Sequence, residues 1–154
     1  NWVLGTKPDE VPPKWKLRIT ELLKKETGEE YNDSTFEMLQ IPEWHGNKLL
    51  IDEEIYPKPE SLVGVFWSKP ITNQRIRIVA FVIEEKYQSK HFGTIAMNEI
   101  INHAKNTSQL GVQLEVRCSN TRAQKFYRRF GLEIVEKITG YYSNEDGYLM
   151  SLDI

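Results

Sequence analysis

The sequence predicts a mixed α/β protein of the α+β class, one domain built around a single sheet. Three observations predict it. Residues 75–83 are rich in Ile, Val and Phe, the composition of a well-buried strand, and Ile95, Ala96, Ile100, Ile101 and Ala104 then recur at helical spacing. Residues 112–131 repeat that order, with a period-two stretch followed by a helical one. Residues 48–51 and 62–69 supply two further apolar runs, and Thr72-Asn73-Gln74 has the turn composition that joins strands of an antiparallel meander.

Taken in order, Trp2-Val3-Leu4 reads as a short first strand, and Pro8, Pro12 and Pro13 hold off regular structure until about residue 14. Trp15, Ile19, Leu22 and Leu23 then fall on one helical face, with Gly28 as its stop. Ser34-Thr35-Phe36-Glu37 has capping-box spacing and predicts a second, short helix carrying Phe36 and Leu39. A proline-containing loop over residues 52–60 joins the strands at 48–51 and 62–69. Asn120 is placed to open the last helix, on which Ala123, Phe126, Tyr127 and Phe130 share a side and which Gly131 ends.

At 154 residues the chain is long enough to bury one core without staples. Its 27% charged residues argue against both disorder and a membrane span, and no apolar run approaches spanning length. No leader peptide is evident, and the lone Cys118 excludes an internal disulfide, so a cytoplasmic, reducing setting is expected. A net charge of −2 makes no electrostatic case for nucleic acid. Arg122, Lys125, Arg128 and Arg129 are read as a solvated helix face or as contacts to an outer phosphate. His45, His91, His103 and Cys118 do not form a metal set, so no metal is expected.

The turn between the strand at 75–83 and its helix carries the first chemistry. Gln88, Ser89, Lys90, His91, Phe92, Gly93 and Thr94 deliver the chain onto a helix start. There, N–H groups without intrahelical partners and the positive dipole end favour an anion, usually phosphate. Gly93 lets the backbone approach such a ligand, and Lys90 and Gln88 add donors. Neither a P-loop nor a dinucleotide fingerprint is present. In the second strand–helix unit, Val112, Leu114 and Val116 alternate with Gln113, Glu115 and Arg117, so Glu115 faces away from the apolar side. From spacing alone, Glu115 is an edge carboxylate or a partner of Arg117, and Tyr127 is a core aromatic.

Ile83 to Thr94, Ile-Glu-Glu-Lys-Tyr-Gln-Ser-Lys-His-Phe-Gly-Thr, resembles the acetyl-CoA loop of the GNAT acetyltransferase superfamily. Leu-Glu-Val-Arg-Cys-Ser-Asn, then Ala-x-x-Phe-Tyr-x-x-Phe-Gly-Leu, Gly-Tyr-Tyr and Tyr-Leu-Met is similar to the branch of ribosomal-protein alanine and archaeal protein N-terminal acetyltransferases. The similarity covers residues 75–154, and the first 70 or so residues match only in layout. It implies a central, mostly antiparallel twisted sheet with helices on both faces. It also implies that the backbones of Phe81, Val82 and Ile83 bind the pantetheine arm of acetyl-CoA, and that Ser89 to Thr94 hold the pyrophosphate. Asn120 and Tyr127 would complete the cofactor contacts. Tyr31 and Phe36, beside Glu30, together with Tyr141 and Tyr142 would line the acceptor groove. The departures are His91, where the family usually has its first glycine, and the loop at 52–60.

The chemistry implied is direct transfer of acetyl to an amine in a ternary complex, with a protein N-terminal peptide as partner. Freeing an α-amine of pKa near 8 at pH 7 costs only about 1 kcal/mol, against about 4.6 for a lysine near 10.4. One modest base suffices, and Glu115 is the candidate, with Tyr127 stabilising the departing thiolate. The alternatives are transfer to a small amine or a lysine side chain, and a non-catalytic CoA-binding module. Acceptor identity and oligomeric state are not legible.

Overall fold

The structure, a computed structural model, describes residues 1–154. Seven strands and four α-helices are its main elements. The strands lie in one sheet in the order β1 (Trp2–Leu4), β2 (Asn47–Ile51), β3 (Leu62–Ile71), β4 (Arg75–Ile83), β5 (Gly111–Arg117), β7 (Glu145–Asp153), β6 (Glu133–Tyr142). β4 (Arg75–Ile83) and β5 (Gly111–Arg117) form a parallel pair. The pairs β1–β2, β2–β3, β5–β7 and β6–β7 are antiparallel. The mixed α+β class with a mostly antiparallel sheet is therefore as expected. The chain forms two compact units, Asn1–Lys69 with Val79–Ala96, and Pro70–Ile78 with Met97–Ile154.

In the first unit, α1 (Pro13–Thr27) starts with proline at its first position and ends at Gly28, whose φ of 77° is the left-handed C-cap that glycine adopts at little cost. α2 (Asp33–Leu39) begins one residue earlier than the Ser34 signal implied. Its cap is Asn32, whose side chain accepts from the Thr35 amide at 3.0 Å while the Thr35 hydroxyl accepts from the Asn32 amide at 3.2 Å. Beneath the helices, β2 (Asn47–Ile51) and β3 (Leu62–Ile71) bring up apolar side chains, while β1 (Trp2–Leu4) pairs with β2 at the edge of the sheet. Ile19, Leu22, Leu23, Phe36, Leu62, Val65, Trp67 and Val82 form the core of this unit.

In the second unit, Val112, Leu114 and Val116 of β5 are buried, as the alternation predicted, and so are Ile100, Ala104, Leu132 and Met150. The helix α3 (Phe92–Asn106) runs through both units. On its first turns Ile95 is 46% exposed, and Met97, not Ile95, joins the buried set. α4 (Thr121–Arg128) is capped by Asn120, whose Oδ1 accepts from the Ala123 amide at 3.1 Å. β6 (Glu133–Tyr142) and β7 (Glu145–Asp153) form a hairpin, and β7 lies against β5 in register from Gly111↔Asp153 to Arg117↔Gly147.

Candidate active site

In the first unit the site is built from the end of β4 and the start of α3. In-register pairing of β4 with β5 ends at Ile78↔Leu114, although β4 continues to Ile83, which leaves one backbone edge of Phe81, Val82 and Ile83 outside that ladder. Gln88 turns back, its Nε2 donating to the Ile83 carbonyl at 2.7 Å, and so ties the loop to the strand end. Ser89 and His91 both take left-handed backbone conformations, with φ of 61° and 69°. Successive amides in such a turn form a concave anion-binding surface.

The helix begins immediately afterwards. The Ile95 amide donates to the His91 carbonyl at 3.0 Å, so Phe92, Gly93 and Thr94 form the first turn of α3 and are part of it, not a lead-in to it. His91 thus occupies, with a β-carbon, the backbone conformation that glycine adopts most readily. That is the physical meaning of the glycine expected there. Its imidazole is exposed. Lys90 lies over the Tyr87 ring at 5.9 Å, and Lys86 does so at 5.4 Å. The Tyr87 hydroxyl donates to Asp52 Oδ2 at 2.5 Å. That bond pushes the phenol up to about 12 and holds the Asp52 carboxyl below its ordinary value. The loop at 52–60 thereby buttresses the turn. Phe81 stacks edge-on with Phe66 at 4.9 Å and with Trp2 at 6.5 Å, and the Trp2 indole donates to the Phe92 carbonyl at 2.9 Å.

In the second unit, Glu115 does not pair with Arg117. Its partner is Arg77 on β4, whose Nε and Nη2 both reach Oε1, at 2.9 and 2.6 Å. The parallel register places the two strands side by side, and each β4 arginine leans two residues further along β5. Arg75 does the same to Gln113 at 2.8 Å. Tyr141 donates to the same Glu115 oxygen at 3.1 Å and accepts from Arg77 Nη2 at 3.2 Å. Three donors thus converge on Oε1 and leave Oε2 for a further proton donor. Burial, and next the Glu115 carboxylate, push the Tyr141 phenol above its ordinary value, so it stays protonated and donating. Burial pulls the Arg77 guanidinium down, but the bonds and charge of Glu115 more than offset it. The carboxylate is 13% exposed and Tyr141 43% exposed, so the trio opens to solvent on the tyrosine side.

The structure therefore brings together two residues assigned different roles from sequence, Glu115 and Tyr141, through an arginine that the sequence reading did not single out. Its signal is the alternation of β4, in which Arg75 and Arg77 share the less buried face. Tyr142 stacks edge-on with Tyr141 at 5.0 Å. Tyr127 is buried on α4 against Phe126 at 5.4 Å. Asn120 spends its Oδ1 on the cap, which leaves its amide nitrogen for a ligand. Phe36 is 2% exposed, edge-on to Trp67 at 6.0 Å and to Tyr31 at 5.7 Å. Its ring is packed between them, and Tyr31 is the half-exposed member of that pair. The cationic side chains of α4 are exposed, as expected of a solvated face. No group of three or more His, Cys, Asp or Glu is arranged to hold a metal ion.

The model of the acetyltransferase (GNAT) family matches residues 16–132, and the chain belongs to that family. Solved structures share the fold across the whole chain. Ard1 from Thermoplasma volcanium is 21% identical with a TM-score of 0.78, covering 100% of this chain and 97% of that one. The ribosomal-protein-S18-alanine N-acetyltransferase from Escherichia coli is 16% identical with a TM-score of 0.74, covering 100% and 94%. Arabidopsis thaliana Naa50 in complex with the bisubstrate analogue CoA-Ac-MVNAL is 20% identical with a TM-score of 0.68, covering 99% of each chain. No curated protein sequence matches.

Proposed function

We propose that this chain is an acetyl-CoA-dependent N-acetyltransferase acting on the N-terminal α-amine of proteins. The observation that carries the reading is Glu115, held on one oxygen by Arg77 and Tyr141 and free on the other, at a face that opens through an exposed tyrosine. The backbone edge of Phe81 to Ile83 and the turn from Gln88 to Thr94 fit a pantetheine arm and a pyrophosphate. Bound there, acetyl-CoA supplies an activated thioester. Glu115 Oε2, directly or through water, takes a proton from the α-ammonium. The freed nitrogen would form the N–C bond to the acetyl carbonyl as the C–S bond breaks, its second proton passing to the departing thiolate, which Tyr127 would hydrogen-bond. An α-amine asks only about 1 kcal/mol of this base at pH 7, whereas a lysine asks about 4.6. The peptide-bound likeness of the Naa50 complex supports the same acceptor.

A peptide-library assay with a CoA-thiol readout tests the proposal. Peptides with free N-termini should be acetylated and N-terminally blocked lysine peptides should not. Turnover confined to blocked lysine peptides or small amines would transfer the reading to those acceptors. Acetyl-CoA binding without turnover of any amine would make the chain a binding module.

A further inference from the structure

The end of β5 carries a second cluster, distinct from the Glu115 trio. Arg117 Nη1 donates to Asn144 Oδ1 at 2.8 Å and to Glu145 Oε1 at 3.1 Å, and its guanidinium carbon lies 4.4 Å from the centroid of the Tyr142 ring. Ser119 adds its amide and hydroxyl to Glu145, at 3.2 and 2.9 Å. Thus these hydrogen bonds and the ring contact of the arginine side chain all go to residues 142–145, at the turn of the β6–β7 hairpin. The arginine is itself fixed from behind, since the buried Gln124 of α4 donates to the carbonyls of Arg117 and Cys118, at 3.0 and 3.1 Å. Its Nε is buried without an acceptor, so the guanidinium is oriented by the hairpin contacts and not by its own full satisfaction.

We propose that Arg117 is a positioning residue: it clasps the β6–β7 turn and thereby keeps Tyr141 on Glu115, setting affinity for the acceptor peptide. A hairpin turn of this length is otherwise mobile, because its tip has little buried surface. The planar fork suits the task in a way that lysine would not, since it binds Asn144 and Glu145 edge-on while covering Tyr142 with its face. Gly147, paired with Arg117 across the strands, leaves room for the two rings: a β-carbon there would meet Tyr142 at 3.1 Å and Tyr141 at 3.2 Å. When the clasp is lost, the fraction of hairpins in the binding geometry falls, and apparent peptide affinity falls in proportion.

The peptide consequence rests on the proposed function, so the test reads the clasp separately. In Arg117→Gln and in Glu145→Gln, amide exchange across residues 140–146 should speed up. The peptide KM should rise about tenfold, with acetyl-CoA affinity held within about twofold. Arg117→Lys should recover part of the KM, and the two Gln substitutions should combine less than additively, as partners in one contact do. Unchanged exchange and unchanged peptide KM in both variants would overturn the proposal. So would a loss of acetyl-CoA affinity in step with the rise in KM, which means general damage. Faster exchange in a chain whose wild type acetylates no peptide would support the clasp and overturn the protein N-terminal acetyltransferase reading.

Discussion

Glu115 and Arg77 meet on a single oxygen: Nε at 2.9 Å and Nη2 at 2.6 Å both end on Oε1, where the Tyr141 hydroxyl arrives at 3.1 Å. The carboxylate is oriented by a charge-assisted pair, so its second oxygen points in one direction without reorganisation. Polar pairs of this depth are costly to break and modest in net worth, which fits a role in orientation more than in stability.

If Oε2 is the base, Glu115→Gln should lower kcat by roughly 10- to 1000-fold near neutral pH. The defect should shrink as pH rises past the α-amine pKa of about 8, because hydroxide and solvent then perform the deprotonation. A pH–rate profile with an N-terminal peptide decides it. A flat, near wild-type profile returns Glu115 to a purely structural role.

Removing Arg77 leaves Glu115 in place but unoriented. Arg77→Gln is expected to lower stability by about 1–2 kcal/mol, the usual worth of charge-assisted bonds in a partly buried pair. It should also reduce kcat while leaving acetyl-CoA affinity intact, since the turn from Gln88 to Thr94, proposed to hold the cofactor, belongs to another part of the chain. Denaturant melts and calorimetry separate the two effects.

Tyr127→Phe keeps the ring and removes the hydroxyl. If that hydroxyl stabilises the thiolate, kcat should fall at every pH with little change in acetyl-CoA affinity, in contrast to the pH-dependent Glu115 defect. Wild-type rates in Tyr127→Phe would leave the residue a core aromatic, the role its burial at 8% exposure already describes.

His91 sits at φ 69°. Glycine there removes a left-handed cost of about 1–2 kcal/mol and adds up to about 1 kcal/mol of unfolded-state entropy. His91→Gly should therefore leave Tm unchanged or raise it by about 2 °C and keep or tighten acetyl-CoA binding. His91→Val should do the reverse. A large loss of acetyl-CoA affinity in the glycine variant would give the imidazole itself a binding role.

The Tyr87–Asp52 bond has consequences at both ends of the pH scale. The folded phenol, pushed up to about 12, ionises later than the unfolded one. Its contribution is therefore complete below about pH 10 and is lost as pH rises toward 12. The Asp52 carboxyl is held low by the same bond, so its contribution is present above about pH 4 and is lost as pH falls through its folded value. Tyr87→Phe should flatten the dependence of Tm on pH in both windows. Scans from acid to alkali that superimpose on wild type would remove the bond from the stability account.

The sequence by itself determined the elements and the faces they bury. Period-two alternation put Val112, Leu114 and Val116 inward, helical spacing put Ile19, Leu22 and Leu23 together, and Gly28 ended α1, because these depend on residues close in the chain. It also singled out the turn from Gln88 to Thr94 as the place to propose an anion site. Only the tertiary structure decided the partners. Arg77 and Glu115 are 38 positions apart, and Arg117 and Glu145 are 28 apart. Their meeting depends on the parallel register of β4 with β5 and the antiparallel register of β5 with β7. Strand register is a non-local choice, made when whole faces are buried at once, so adjacency along the chain pointed to Arg117 as the partner of Glu115 and was wrong. The packing of Phe36 has the same kind of reason: α2 turns it onto Trp67, a residue of β3, and no local spacing shows what lies beneath a helix.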